Sequence, residues 1–205
     1  MRYIKIFAPL FIAAVALTAL AGAGTATATV LCKNNLNTAK CSEPYPVGTE
    51  FKTTLAGSAV LTTSFKNVEC QKATGEGKLE SEGSSTTTPW GKGTGTYSEC
   101  NCEVKVLSTG TLEVHLTAGT DNGTVIFKGT EVTANCSTIF GSVHCIFSTG
   151  AGTDLGTLNS GSPAKAEFKE ANIPRLATSA LCAEKAKLDA TFEITTPNPL
   201  YVAAS

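Results

Sequence analysis

The chain is 205 residues long, with 16 basic and 17 acidic side chains, a formal net charge of −1 and two histidines. Arginine occurs only at Arg2 and Arg175, so there is neither the basic stripe of a nucleic-acid surface nor the guanidinium groups that usually recognise phosphate. Eight cysteines against one methionine and one tryptophan point instead to an oxidising compartment and a disulfide framework.

Arg2 and Lys5 precede an uncharged apolar run, Phe7–Leu20, and Ala-x-Ala patterns come next at Ala21–Ala23 and Ala26–Ala28. That order predicts a secretory signal peptide over residues 1–28, cut after Ala23 or Ala28. The run is short for a membrane span of ~20 residues. Leu31, just before Cys32, is too bulky for a lipoprotein signal. Residues 29–205 are then expected to be one secreted β-rich domain, long enough to bury a core and not held at a membrane.

From there, period-two alternation of apolar and polar residues predicts strands in chain order over 58–65, 102–107, 111–117, 124–129, 130–136, 142–147, 164–173 and 187–194. Gly, Asn and Asp mark turns between them, Asn122-Gly123 and Gly141-Ser142 among these. Two polar, Gly-rich segments, 73–96 and 148–163, read as long loops. Residues 179–188 contain helix formers without a cap and read as a loop or single turn. The fold expected is all-β: a disulfide-stapled antiparallel sandwich or barrel of eight or more short strands, with little or no helix.

Cys100 and Cys102 share one face of an extended segment, too far apart along it to bond each other, so each needs its own partner. Metal and redox sites favour Cys-x-x-Cys or added histidine, which this pattern lacks. Cys32 with Cys41, and Cys136 with Cys145, bracket short steps and are expected to be local staples. Cys70 and Cys182 are left for Cys100 and Cys102, taken as Cys70–Cys100 and Cys102–Cys182, among the many pairings that eight cysteines allow.

Catalytic chemistry is poorly represented. Leu112, Val114 and Leu116 share a face, which sends His115 the other way with Glu113, and His144 shares its face with Ile146. No Gly-x-Ser-x-Gly elbow is present. The "GKGTG" at 91–95 lacks the spacer and the succeeding helix of a phosphate loop. Asp121, Asn122 and Asp154 could offer oxygens to calcium but are better explained as turn formers. Glu76, Glu80 and Glu82 read as a solvated strand face. No cofactor and no metal is expected.

The segments "TVLCKNN" and "CSEPYPVGTEF" near the start, "VTANCSTIFGSVHCIFST" in the middle and "LCAEKAKLDATFEITTPNPLYVA" at the end together resemble a set of uncharacterised secreted proteins of soil actinobacteria. Ser42 after Cys41 and Ala183 after Cys182 depart from the prolines of that set. The resemblance implies export and a β-rich, disulfide-bonded architecture, and no activity.

Among function classes, the shortage of His, Asp and Arg favours a binding or cell-surface interaction protein over an enzyme. Its loops would hold an extracellular glycan or protein. A secreted hydrolase and a secreted protease inhibitor are the alternatives. Trp90, alone in the long polar segment, is expected either to pin that segment to the core or to contact a sugar ring or a protein partner.

Overall fold

The structure, a computed structural model, describes residues 28–34, 40–139, 141–178 and 181–205. The expected signal peptide lies outside the described residues except for Ala28. Fourteen strands run in chain order: β1 (Thr29–Cys32), β2 (Glu50–Leu55), β3 (Ala59–Thr62), β4 (Asn67–Ser81), β5 (Trp90–Cys100), β6 (Glu103–Ser108), β7 (Gly110–Leu116), β8 (Gly123–Lys128), β9 (Glu131–Thr138), β10 (Gly141–Ser148), β11 (Thr153–Asn159), β12 (Ala164–Thr178), β13 (Lys185–Thr196) and β14 (Tyr201–Ala204). Among the described residues there is no helix.

Of the two architectures the alternation allowed, the chain builds the barrel. Strands β2, β4, β5, β7, β8, β11, β12 and β13 pair in that order, each antiparallel to its neighbours. β13 then returns to β2 and closes an eight-stranded ring. β3 also pairs with β4 and β13, so β2 and β3 are two halves of one bent strand. The break between them contains Gly57 at φ +89°, a conformation costly for any residue with a Cβ.

β12 leads out of the ring. Its first half pairs with β11 and β13, and a bulge lies between Phe168 and Ala171, with Glu170 at φ +49°. Bulges bend and twist a strand, and beyond this one the end of β12 pairs with β10. β10, β9 and β6 continue as an antiparallel cap sheet. Its inner face packs Cys102, Ala134 and Cys136 against Val68, Leu61 and Phe65 at one rim of the barrel. A ribbon of β1 and β14 covers the other end, where Leu31 and Leu200 are buried and the Leu116 amide donates to Thr29 Oγ1 at 2.9 Å.

All eight cysteines are bonded, which places the protein in oxidising surroundings. Cys100 and Cys102 do take separate partners, and Cys32–Cys41 and Cys70–Cys100 form as expected. The other two differ: Cys102 bonds Cys136, and Cys145 bonds Cys182. Strand register is the reason. In the β9–β10 hairpin Gly141 already pairs with Thr138, so Val143 and not Cys145 stands opposite Cys136. Diagonal neighbours on a sheet are ~7–8 Å apart, beyond disulfide reach. Glu103 faces Asn135 across β6 and β9, which brings Cys102 and Cys136 together at a Cα separation of 4.7 Å.

Two expected loops are strands. Residues 73–96 are mostly β4 and β5, with only 82–89 between them, and 148–163 contains β11. Residues 179–180 of the weak helix candidate lie outside the described residues; its remainder is a turn leading into β13. Asn122-Gly123 does mark the β7–β8 hairpin, but it closes a longer loop, with Gly123 already paired to Leu116.

Candidate functional site

Small eight-stranded barrels have interiors just wide enough to be filled by side chains or to hold one small ligand. Here strand alternation decides between the two. On β4 the inward positions are Gly75, Gly77 and Leu79, and on β5 they are Gly91, Gly93, Gly95 and Tyr97. The outward positions between them are exposed charged or hydroxyl residues, Glu76, Lys78, Lys92 and Thr94. Register places Gly75 opposite Gly95, Gly77 opposite Gly93 and Leu79 opposite Gly91. This wall of the barrel is therefore bare main chain over most of its height.

The glycines are required, and not only because they leave space. A Cβ at Gly77 would sit 2.4 Å from the Lys92 carbonyl oxygen, and one at Gly91 2.6 Å from that of Lys78. β4 and β5 curve so tightly toward the lumen that an inward side chain would strike the partner strand, a known use of glycine at barrel corners. The same wall that closes the ring leaves a void inside it.

In the ring order, β4 and β5 stand four places from β11 and β12, so the glycine wall faces β12 across the lumen. There Phe168 packs edge-to-face with Phe127 of β8 and Phe192 of β13, ring centroids 6.0 Å apart in both pairs. Phe147, Val106 and Val132 of the cap sheet close one end of the void, and Leu31 and Leu200 the other. The cavity, partly open to solvent, measures about 250 Å³. Its lining is almost wholly apolar, with Thr53 of β2 and Tyr97 among the few polar groups. Tyr97 is enclosed by protein yet only partly covered, because it borders the void, and burial pushes its phenol pKa above the ordinary 10.0. Thr130, at the cap end, has a buried hydroxyl with no partner among the described residues.

Of the residues singled out in the sequence, Trp90, Glu76 and the 91–95 segment border the void, and the histidines do not. Trp90 starts β5, half-buried, with Glu113 as its register partner and not on a loop. His115 is on the convex outer face of β7, 3.5 Å from Glu113 Oε2, while Glu113 Oε1 accepts from Lys128 Nζ at 2.6 Å. His144 is exposed on the outer face of the cap sheet, paired in register with Asn135. The two histidines are thus on different sheets, and neither borders the cavity. Glu76, Glu80 and Glu82 are solvent-exposed. Asn122 Oδ1 accepts from the Ser160 amide at 3.1 Å and ties two loops together. No group of three metal-ligating side chains occurs among the described residues, and no helix among them is long and apolar enough to cross a membrane.

The lumen residues have a sequence signal of their own. In "GEGKL" and "GKGTGTY" glycine recurs at every second position with polar residues between. That is strand alternation in which the buried member is glycine, so a search for alternating hydrophobics passes over it.

Comparison of the chain with known protein families, with curated proteins and with solved structures yields no match.

Proposed function

We propose that this protein is an exported binding protein that carries one small, largely apolar molecule inside its barrel. The observation that supports this most strongly is the cavity of about 250 Å³ between the glycine wall and the Phe127–Phe168–Phe192 row. Cores normally pack with few voids larger than a water molecule. An apolar void of about 150 Å³ is known to stay dry and take up benzene, so one of this size fits a ligand of roughly ten non-hydrogen atoms. The disulfides support export to an oxidising compartment, as does the expected signal peptide. The outer face carries Glu76, Lys78, Lys92 and other charged groups, the reverse of a barrel that faces lipid with an apolar band.

Binding is thereby assigned to the lumen, and not to loops that would hold a glycan or protein partner. The hydrolase reading has less support, since the histidines are apart and outside the cavity.

Toluene tests the proposal. At a concentration of about 100 Kd a ligand that binds only the folded state stabilises it by about 2.7 kcal/mol, so the thermal midpoint of the wild-type protein rises by several degrees. Ala166 of β12 lines the cavity. Ala166→Leu fills part of the void and removes that rise while the circular dichroism stays β-rich. No toluene-dependent shift in the wild-type protein would refute the lumen as a ligand site.

A further inference from the structure

Besides Thr130 at the cap end, two residues of the lumen, Thr53 and Tyr97, have hydroxyls without a protein partner among the described residues, and both flank the same glycine row. Thr53 pairs with Gly75 and Gly75 with Gly95, a row running from β2 across β4 to β5. A Cβ at Gly75 would lie 2.6 Å from Thr53 Oγ1, and one at Gly95 would lie 3.8 Å from Tyr97 Cε2. Both side chains therefore lean over the bare glycine row from its two ends. Neither hydroxyl is hydrogen-bonded to any described residue, and both residues border the void. Both residues are only partly buried and border the void, so their hydroxyls are free to meet a ligand's polar group there. The charged residues beside the void, Glu76, Lys78 and Lys92, are solvent-exposed at the outward positions of β4 and β5. An ionised ligand would lose its hydration there and find no counter-charge.

Resting on the lumen as the ligand site, we propose that Thr53 and Tyr97 are its specificity pair, selecting a neutral, mainly apolar molecule with a single hydrogen-bond-accepting oxygen. The apolar body lies between the glycine wall and the phenylalanine row. Its oxygen accepts from the Tyr97 phenol, which burial keeps protonated as a donor, and Thr53 adds a second hydroxyl.

Three probes of similar size separate the elements of this assignment: toluene, acetophenone and benzoate, titrated by calorimetry or ligand-observed NMR into the wild-type protein, Tyr97→Phe and Thr53→Val. Both substitutions delete a hydroxyl and leave the shape nearly intact. Acetophenone is expected to bind the wild-type protein and to bind Tyr97→Phe about tenfold more weakly, the worth of one hydrogen bond, with a smaller loss for Thr53→Val. Toluene is expected to bind all three proteins alike, which also shows the variants to be folded. Benzoate is expected not to bind. If toluene binds but both variants keep the wild-type affinity for acetophenone, or benzoate binds as well as acetophenone, the specificity pair is refuted and the lumen reading stands. If none of the probes binds, the lumen reading falls and this assignment with it.

Discussion

Across the lumen, β4 and β5 present Gly75, Gly77, Gly91, Gly93 and Gly95, whereas β8, β12 and β13 present Phe127, Phe168 and Phe192 in an edge-to-face row. Both walls obey the same two-residue alternation, and both turn charged or hydroxyl groups to water. They differ in what closes the ring. On the phenylalanine side, side chains fill the curve and supply most of the apolar burial. On the glycine side, the curve is so tight that the partner strand's carbonyls occupy the space of a side chain. Stability is thus concentrated on one wall and the void on the other. A barrel lined with phenylalanine all round would be a filled core, and one lined with glycine all round would bury too little to fold.

The largest expected effect comes from breaking the filled wall. Phe168 contacts both other rings and is 6% exposed. Phe168→Ala should cost ~3–5 kcal/mol in urea denaturation and extend the cavity, so the surviving folded protein should accept larger apolar ligands. A loss below ~1 kcal/mol would mean that the phenylalanine row is not the stabilising wall.

The glycine wall gives a sharper test, because the sign depends on position. Replacing glycine by alanine at an unstrained site stabilises by ~0.4–1 kcal/mol through the unfolded chain. At Gly77 the new methyl meets the Lys92 carbonyl oxygen at 2.4 Å, so Gly77→Ala should destabilise by ~1–3 kcal/mol. At Gly95 the nearest atom is the Thr74 carbonyl oxygen at 3.5 Å, an ordinary contact. Gly95→Ala should therefore leave stability unchanged or slightly raised. It should still weaken acetophenone binding, since the methyl enters the row between Thr53 and Tyr97. Shifts of opposite sign would be hard to obtain from any account in which these glycines merely make the strands flexible. If both variants lost stability alike, tight curvature confined to the Gly77–Gly91 part of the wall would be refuted.

The same contrast explains what the sequence reveals. Strands whose buried residues are large, such as β6 with Val104 and Val106 or β7 with Leu112 and Val114, stand out as alternation, and the all-β class can be read from them. β4, β5 and β11 are hidden because Gly75, Gly77, Gly91, Gly93, Gly95 and Gly156 take inward places, and a glycine-rich stretch resembles a loop. Barrel closure is hidden too, since it depends on β13 reaching back to β2 across most of the length of the chain. The disulfides divide in the same way. Cys70 and Cys100 are found because few alternatives remain for them. Cys136 and Cys145 mislead because the hairpin's register, with Gly141 already paired to Thr138, decides which side chains face each other. The candidate site is the least legible feature. A void is a property of how walls meet, and Thr53 and Tyr97 carry no signal as residues until the glycine row lies between them.

The smallest expected effect lies on the outer face, which serves as the reference for both walls. Glu113 projects outward between the inward Leu112 and Val114, with Lys128 Nζ 2.6 Å from one oxygen and His115 Nε2 3.5 Å from the other. Partial desolvation raises its pKa, but the Lys128 hydrogen bond and charge, helped less by His115, outweigh that and hold the carboxyl below its ordinary 4.5. A carboxyl with a lowered folded-state pKa contributes stability at pH values above the unfolded pKa and loses it as the pH falls through the folded one. The contribution is therefore complete at neutral pH and shrinks as the pH falls below about 4.5. Lys128 is 40% exposed, so its magnitude should stay under ~1 kcal/mol. Lys128→Met keeps the apolar stem beside Ile126 and Gly152 and deletes only the charge. Urea denaturation should show the variant weaker by ~0.5 kcal/mol at about pH 7, with the difference shrinking as the pH falls below about 4.5 and also in high salt at neutral pH. Toluene and acetophenone affinities should not change, because the pair lies outside the lumen. A difference that does not shrink in acid would show that Lys128 acts through packing and not through its charge. A change in ligand affinity would show that the outer face is coupled to the lumen, and the separation of the two would have to be abandoned.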